Sequence, residues 1–177
     1  MKMKKICSSE TGDVRPALEA DLHLLPPIEA AADGMFLEVG EVGIELPPGQ
    51  MSIAELRGAQ AVFVIDNPIA GFICLDRLDG MAHLAQIAVL PTRTGEGLGT
   101  ALIAAGIEWA RSRGYSGMIL TTYRDVPWNA PYYERRGFHV IPETELTPRL
   151  AAVRAHEREL GLDDLGPRVA MRIDLER

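Results

Sequence analysis

An α/β domain built around a mixed central sheet is predicted by three features of this 177-residue chain. Two apolar runs, residues 61–65 and 69–75, flank Asp66-Asn67-Pro68 and read as an antiparallel hairpin. A helix-period stretch at 100–113 sits between apolar strands at 83–90 and 118–122, as expected of parallel strands joined by a right-handed helical crossover. The length suits one well-cored domain and is short for two.

Taken in order, residues 13–15 form a short strand, and 16–25 and 27–33 are short helices punctuated by Pro26 and Pro27. Three glycines and two prolines make 38–50 a loop, after which 52–57 forms a short helix. Asp79-Gly80 supplies the turn into strand 83–90, which Pro91 and a glycine-rich loop terminate. Helix 100–113 carries Leu102, Ile103, Ile107 and Trp109 around much of its circumference and is expected to be mostly buried, with Gly114 as its C-terminal cap. Asn129 is expected to cap a helix running to Arg136, with Pro131 in its first turn and Gly137 at its end. A short strand at 138–141, a helix at 147–160 and an alternating strand at 168–174 complete the domain.

Composition excludes several classes. With 25 acidic against 18 basic side chains, the net charge of -7 argues against nucleic acid and anionic membranes as partners. The three lysines all lie within residues 1–5, so residues 1–11 read as a mobile arm ahead of a domain at 12–177. No apolar core follows that basic start and no stretch is long enough to span a bilayer, so a cytoplasmic location is expected. Cys7 and Cys74 form neither a disulfide framework nor a metal-ligand pair, and Cys74 is expected to act as a small buried hydrophobe.

The chemistry concentrates in Arg93-Thr94-Gly95-Glu96-Gly97-Leu98-Gly99-Thr100, between a strand and a helix. Unpaired amides and the helix dipole make such a junction an anion site, and glycines let a phosphate approach the backbone. On its glycines alone it is equally a tight turn that binds nothing. An NTPase loop would need Gly-Lys before Ser or Thr, and this loop has no lysine. A dinucleotide fold would put its glycine turn after the first strand of a parallel unit, whereas hairpin strands come first here.

Gly97 and Gly99, the preceding Ile87-Ala88-Val89-Leu90-Pro91 and the later Asn129-Ala130-Pro131-Tyr132-Tyr133-Glu134-Arg135-Arg136-Gly137-Phe138 together resemble the GNAT superfamily of acyl-CoA-dependent N-acetyltransferases. The resemblance is strongest over residues 61–140. It implies a GNAT-like single-domain fold, acetyl-CoA as acyl donor and a small-molecule or peptide amine as acceptor. The family's leading Gln or Arg falls on Thr94, with Arg93 one place earlier, and Glu96 stands where relatives are often basic.

The resemblance further implies that Thr94, Gly95, Gly97, Leu98, Gly99 and Thr100 form a backbone cradle for the cofactor, Thr94 through its amide and Thr100 also through its hydroxyl. The amides of Ile87 and Val89 would pair with the pantetheine arm, which Asn129 would also touch. Tyr133, four residues before Gly137, would protonate the departing thiolate, a role suited to a phenol with a reference pKa of about 10. Tyr132 reads as a core or wall residue, and Trp128 as either a channel wall or core. No carboxylate base stands out, since Gln86 occupies the convenient strand position. His83 has a suitable pKa, but such a residue is more often a surface or hydrogen-bonded one. Glu29 and Glu38 are candidates acting through water, although most such acids face solvent. The charged helix 147–160 reads as a solvated face, with an acceptor-pocket wall or homodimer contact as its other readings. A non-catalytic acyl-CoA sensor on the same fold is the alternative to an enzyme.

Overall fold

The computed structural model describes residues 12–35 and 50–176. The arm at 1–11, Cys7, Glu38 and most of the 38–50 loop lie outside the described residues.

Seven strands form one mixed sheet in the order β1-β2-β3-β4-β5-β7-β6. Strands β1 (Val14–Pro16), β2 (Ala61–Ile65), β3 (Gly71–Leu78) and β4 (Met81–Val89) form an antiparallel run. The β3–β4 turn has Asp79 and Gly80 both at positive φ, 51° and 79°, the twist that a two-residue hairpin needs. Strand β5 (Gly117–Tyr123) is parallel to β4, and helix α3 (Leu98–Ser112) makes the crossover. Strand β7 (Arg168–Asp174) then inserts antiparallel between β5 and β6 (His139–Ile141).

Alternation distributes the helices. Ile73, Leu75, Leu84, Met118 and Leu120 meet Leu102, Ile103 and Trp109 of α3 on one face. On the other, Val64, Phe72, Cys74 and Ala88 meet α1 (Leu25–Asp33) and α2 (Ile53–Gly58). Helix α5 (Pro148–Glu159) covers Leu78, Ile119 and Ala170 through Leu150 and Val153. Cys74 is fully buried, and burial pushes its thiol up to about 12, so it acts as a small hydrophobe.

Several boundaries differ from expectation for local reasons. Pro26 and Pro27 do not separate two helices. A 3-10 turn at Glu19–Leu24 runs straight into α1, whose first turn accommodates both prolines because its N–H groups lack intrahelical acceptors. Helix α3 begins two residues before Thr100, because Gly97 takes the N-cap at φ 80°. Helix α4 (Ala130–Glu134) is shorter than expected and ends ahead of Gly137, at φ 89°.

One feature of the sheet creates the site. Strands β4 and β5 are in register only at Ala82↔Met118 and His83↔Ile119, although β4 continues to Val89 and β5 to Tyr123. The β3–β4 register also shifts between Cys74, opposite Gln86, and Leu75, opposite Leu84, leaving Ala85 as an extra residue. A bulge of this kind bends its strand. Beyond it β4 leaves β5, and a gap opens in the middle of the sheet.

Candidate active site

A cavity of 650 Å³ occupies this gap, and Tyr133, Ile87, Val89, Thr94, Gly95, Gly97, Leu98, Gly99, Thr100 and Asn129 all line it. The gap gives it two halves, one beside α3 and α4, the other beside α1 and α5.

On the α3 side, the amide of Leu90 donates to the Ala70 carbonyl at 2.8 Å. Antiparallel alternation therefore turns the Val89 and Ile87 amides away from β3, towards the gap. Ile87 is not free there: its N–H donates to the side-chain oxygen of Gln86 at 2.9 Å. The glycine loop turns with Gly95 and Gly97 at φ 89° and 80°, a region that favours glycine. Ala101 N–H bonds the Gly97 carbonyl at 3.0 Å, so the amides of Leu98, Gly99 and Thr100 precede the first intrahelical bond. They sit at the positive end of the helix dipole. Thr94 lines the cavity, but its amide donates to the Pro91 carbonyl at 3.2 Å, so the backbone contact expected of it is already engaged. A Cβ on Gly99 would lie 2.9 Å from the Tyr132 hydroxyl, so a side chain there would displace the tip of that ring.

The charges of this loop are settled locally. Arg93 pairs with Glu96 at 2.6 Å and with Asp66 at 2.8 Å. Hydrogen bonding to Arg93 holds the Glu96 carboxyl below its ordinary pKa, and Glu96 raises that of Arg93. The unpaired cation of this half is Arg136, to which the sequence had given no role. Its guanidinium lies 3.4 Å from the Tyr132 ring centroid and donates to the Tyr132 carbonyl at 2.8 Å and to the Thr100 hydroxyl. Its buried Nε has no hydrogen-bond partner among the described residues, and no carboxylate there pairs with it. The only sequence signal for it is its spacing, one helical turn after Tyr132.

Tyr133 is 7% exposed and packs edge-on against Tyr132 and Phe138, each with ring centroids 5.6 Å away. Burial raises its phenol above the ordinary value, reinforced by Tyr132 and opposed by Arg136 and Arg168. The phenol is therefore held protonated. Asn129 does not cap α4 with its side chain as expected. Its carboxamide oxygen instead accepts from the Thr122 hydroxyl, while its backbone carbonyl accepts from Tyr132 and Tyr133. Trp128, 37% exposed, is a wall of the cavity and not core.

The opposite half overturns two expectations. Glu29 does not face solvent. It is 1% exposed, accepting from Met51 N–H at 2.9 Å and from the Gln86 side-chain amide at 2.5 Å. Burial raises its carboxyl pKa, and these two bonds partly offset the rise. Gln86 is thus fixed at both ends of its amide, between Glu29 and its neighbour's N–H. Helix α5 is likewise not a simple solvated face. Arg154 is 2% exposed, and Glu157 bonds Arg154, Arg168 and the Thr121 hydroxyl while lining the cavity. His83 does not line the cavity, and burial lowers its pKa, so it is placed for neither proton transfer nor contact.

Among the described residues no group of three His, Cys, Asp or Glu could hold a metal ion, and no helix is long and apolar enough to cross a membrane. A parted parallel strand pair, an amide-lined helix start and the buried Tyr133 line one cleft. The model of the acetyltransferase (GNAT) family matches residues 43–138, more than half of the chain, and the protein belongs to that family. Solved structures agree on the fold. The PaiA N-acetyltransferase of Thermoplasma acidophilum, in complex with coenzyme A, has a TM-score of 0.68 at 14% identity, over 93% of this chain and 99% of that one. A GNAT-family acetyltransferase of Staphylococcus aureus gives 0.68 at 16% identity, over 94% and 100%. The ribosomal-protein-S18-alanine N-acetyltransferase of Escherichia coli gives 0.61 at 18%, over 94% and 96%.

Proposed function

We propose that this protein transfers the acetyl group of acetyl-CoA to a primary amine by direct attack, with Tyr133 as general acid. The observation that carries the reading is that one cavity unites the free amides at the start of α3 with the buried Tyr133 phenol.

The residues suit the donor. An anionic pyrophosphate matches the amides of Leu98, Gly99 and Thr100 at the helix dipole, with Gly95 and Gly97 allowing close approach. Arg136 adds the charge that Arg93, spent on Glu96 and Asp66, does not supply. The unpaired edge of β4, above all the Val89 amide, suits the amides of a pantetheine arm added as a strand. Contact at Ile87 would require the Gln86 oxygen to give way.

Acetyl-CoA supplies the thioester: the amine nitrogen bonds to its carbonyl carbon, the C–S bond breaks, and the acetyl group moves. Tyr133, held protonated by burial, gives its phenol proton to the departing sulfur. The amine attacks as its free base, and the proton its nitrogen sheds as the amide forms returns to the Tyr133 phenolate.

A thermal-shift panel with acetyl-CoA, CoA and NAD tests the donor, since a ligand of the native state raises the melting temperature. Stabilisation by both CoA ligands and not by NAD is expected. No shift with either CoA ligand would sink the proposal. CoA release on adding an amine, lost in Tyr133→Phe, separates an enzyme from an acyl-CoA sensor.

A further inference from the structure

The chain's negative charge is concentrated in one stretch. Between Arg15 and Arg57 there is no lysine or arginine, while eight carboxylates lie from Glu19 to Glu55, so this segment accounts for the whole excess of 25 acids over 18 bases. The same stretch supplies α1, which carries Glu29 and Asp33 into the wall of the cavity, four residues apart and hence on neighbouring turns of one face.

The partners of these carboxylates are neutral. Glu29 has left water almost completely, and its donors are the Met51 amide and the Gln86 carboxamide. Asp33 accepts from the Gln50 side chain. Glu157, the third carboxylate lining this half, is different: Arg154 and Arg168 compensate it. Arg168 is occupied in turn, paired with Glu157 and held 4.5 Å from the Tyr123 ring centroid. This half of the cavity therefore offers two carboxylates without a cation and no free cation among the described residues. Burial of such groups is costly until a positive charge arrives, and attraction to it is stronger in a cavity than in bulk water.

Size narrows the choice further. The 650 Å³ must also admit the acyl end of the donor, so the space beside α1 suits a short acceptor. Resting on the acetyl transfer proposed above, we infer that the acceptor is a small aliphatic amine bearing a second positive charge, selected by Glu29 and Asp33. The reacting ammonium meets Glu29, which takes its proton and frees the nitrogen lone pair, and the distal ammonium pairs with Asp33. Burial raises the pKa of both carboxyls, which makes Glu29 a better proton acceptor than a solvent-exposed carboxylate. An acceptor with a carboxylate in place of the distal ammonium would be repelled.

Steady-state acetylation of 1,4-diaminobutane, butylamine and 4-aminobutyrate by the full chain tests this, because the three differ chiefly in terminal charge. The diamine should exceed butylamine in kcat/KM by about tenfold or more, with 4-aminobutyrate the poorest. Asp33→Asn should cost the diamine about tenfold through KM and butylamine less than about threefold. Glu29→Gln, nearly isosteric, should lower kcat for both amines while the acetyl-CoA thermal shift persists. Equal use of the diamine and 4-aminobutyrate, or equal losses for both amines in Asp33→Asn, overturns the inference and leaves acetyl transfer standing. Acetyl-CoA binding with no acetylation of any of the three overturns the inference alone, whereas no thermal shift with acetyl-CoA or CoA overturns the proposed function as well.

Discussion

Tyr133 shows how packing fixes one residue in the wall of the cavity. Its ring lies between Tyr132 and Phe138, and burial keeps the phenol protonated. Tyr133→Phe keeps the ring and removes only the donor. It should lower kcat by about 10²–10⁴-fold while leaving CoA binding and melting temperature nearly unchanged. Equal kcat in the two proteins would exclude the general-acid role. Glu29 gives a pH prediction. Its folded pKa is raised by burial, so the native state binds this proton more tightly than the unfolded chain. Its contribution to stability is therefore fully present below the unfolded value, about 4.5, and is lost as pH rises through the folded one. The melting temperature of the natural protein relative to Glu29→Gln should thus improve as pH falls from 8 towards 5, followed by calorimetry. A difference that does not change with pH contradicts this environment for Glu29. Tyr133 and the glycines were legible in the sequence because their spacing is local. Glu29, Glu157 and Arg136 were not, since their roles rest on Gln86, Thr121 and Thr100, which are 57, 36 and 36 residues away.

Among the elements, the start of α3 does the most to shape the site. The order strand, glycine loop, helix was readable from periodicity and punctuation, but the start of the helix was not. Gly97 can hold the N-cap only because it tolerates φ 80°. Gly97→Ala should cost about 1–2 kcal/mol in denaturant unfolding, and it should weaken CoA binding by misdirecting the Leu98 and Gly99 amides. Full stability in this variant would show that the left-handed turn is not needed. Helix α5 carries a second lesson at this scale. Its charges at helical spacing suggested a solvent-facing surface, yet Glu157 lies between the buried Arg154 and Arg168 and ties the helix to β5 and β7. Glu157→Gln leaves Arg168 without its carboxylate, while Arg154 keeps Asp163, and should cost about 3 kcal/mol by the same measurement. A loss below about 1 kcal/mol would mean that water already screens the pair.

Across the whole molecule, the site exists because the sheet is two units joined at a narrow seam. The antiparallel β1–β4 run and the β5-β7-β6 group share only two register pairs, with α3 and its core bridging them. Hairpin signals and the crossover helix made the first unit and the parallel step readable. The insertion of β7 between β5 and β6 and the parting of β4 from β5 were not, because strand order and a one-residue bulge at Ala85 leave no mark in hydrophobic periodicity. This parting makes a measurable prediction. Amides on the β5-facing edge of β4, Val89 above all, and those of Leu98, Gly99 and Thr100 lack ladder or intrahelical partners and should exchange hydrogen quickly in the free protein. Leu90, bonded to Ala70, should exchange slowly. Saturating acetyl-CoA should slow exchange at Val89 and residues 98–100 while leaving the β2–β3 hairpin close to its unliganded rate. Because the donor binds only the native state, global stability should also rise, by about 2.7 kcal/mol at a ligand concentration of 100 times Kd. Protection spread evenly over all strands would indicate only global stabilisation. Protection confined to β2 and β3 would place the donor outside the gap.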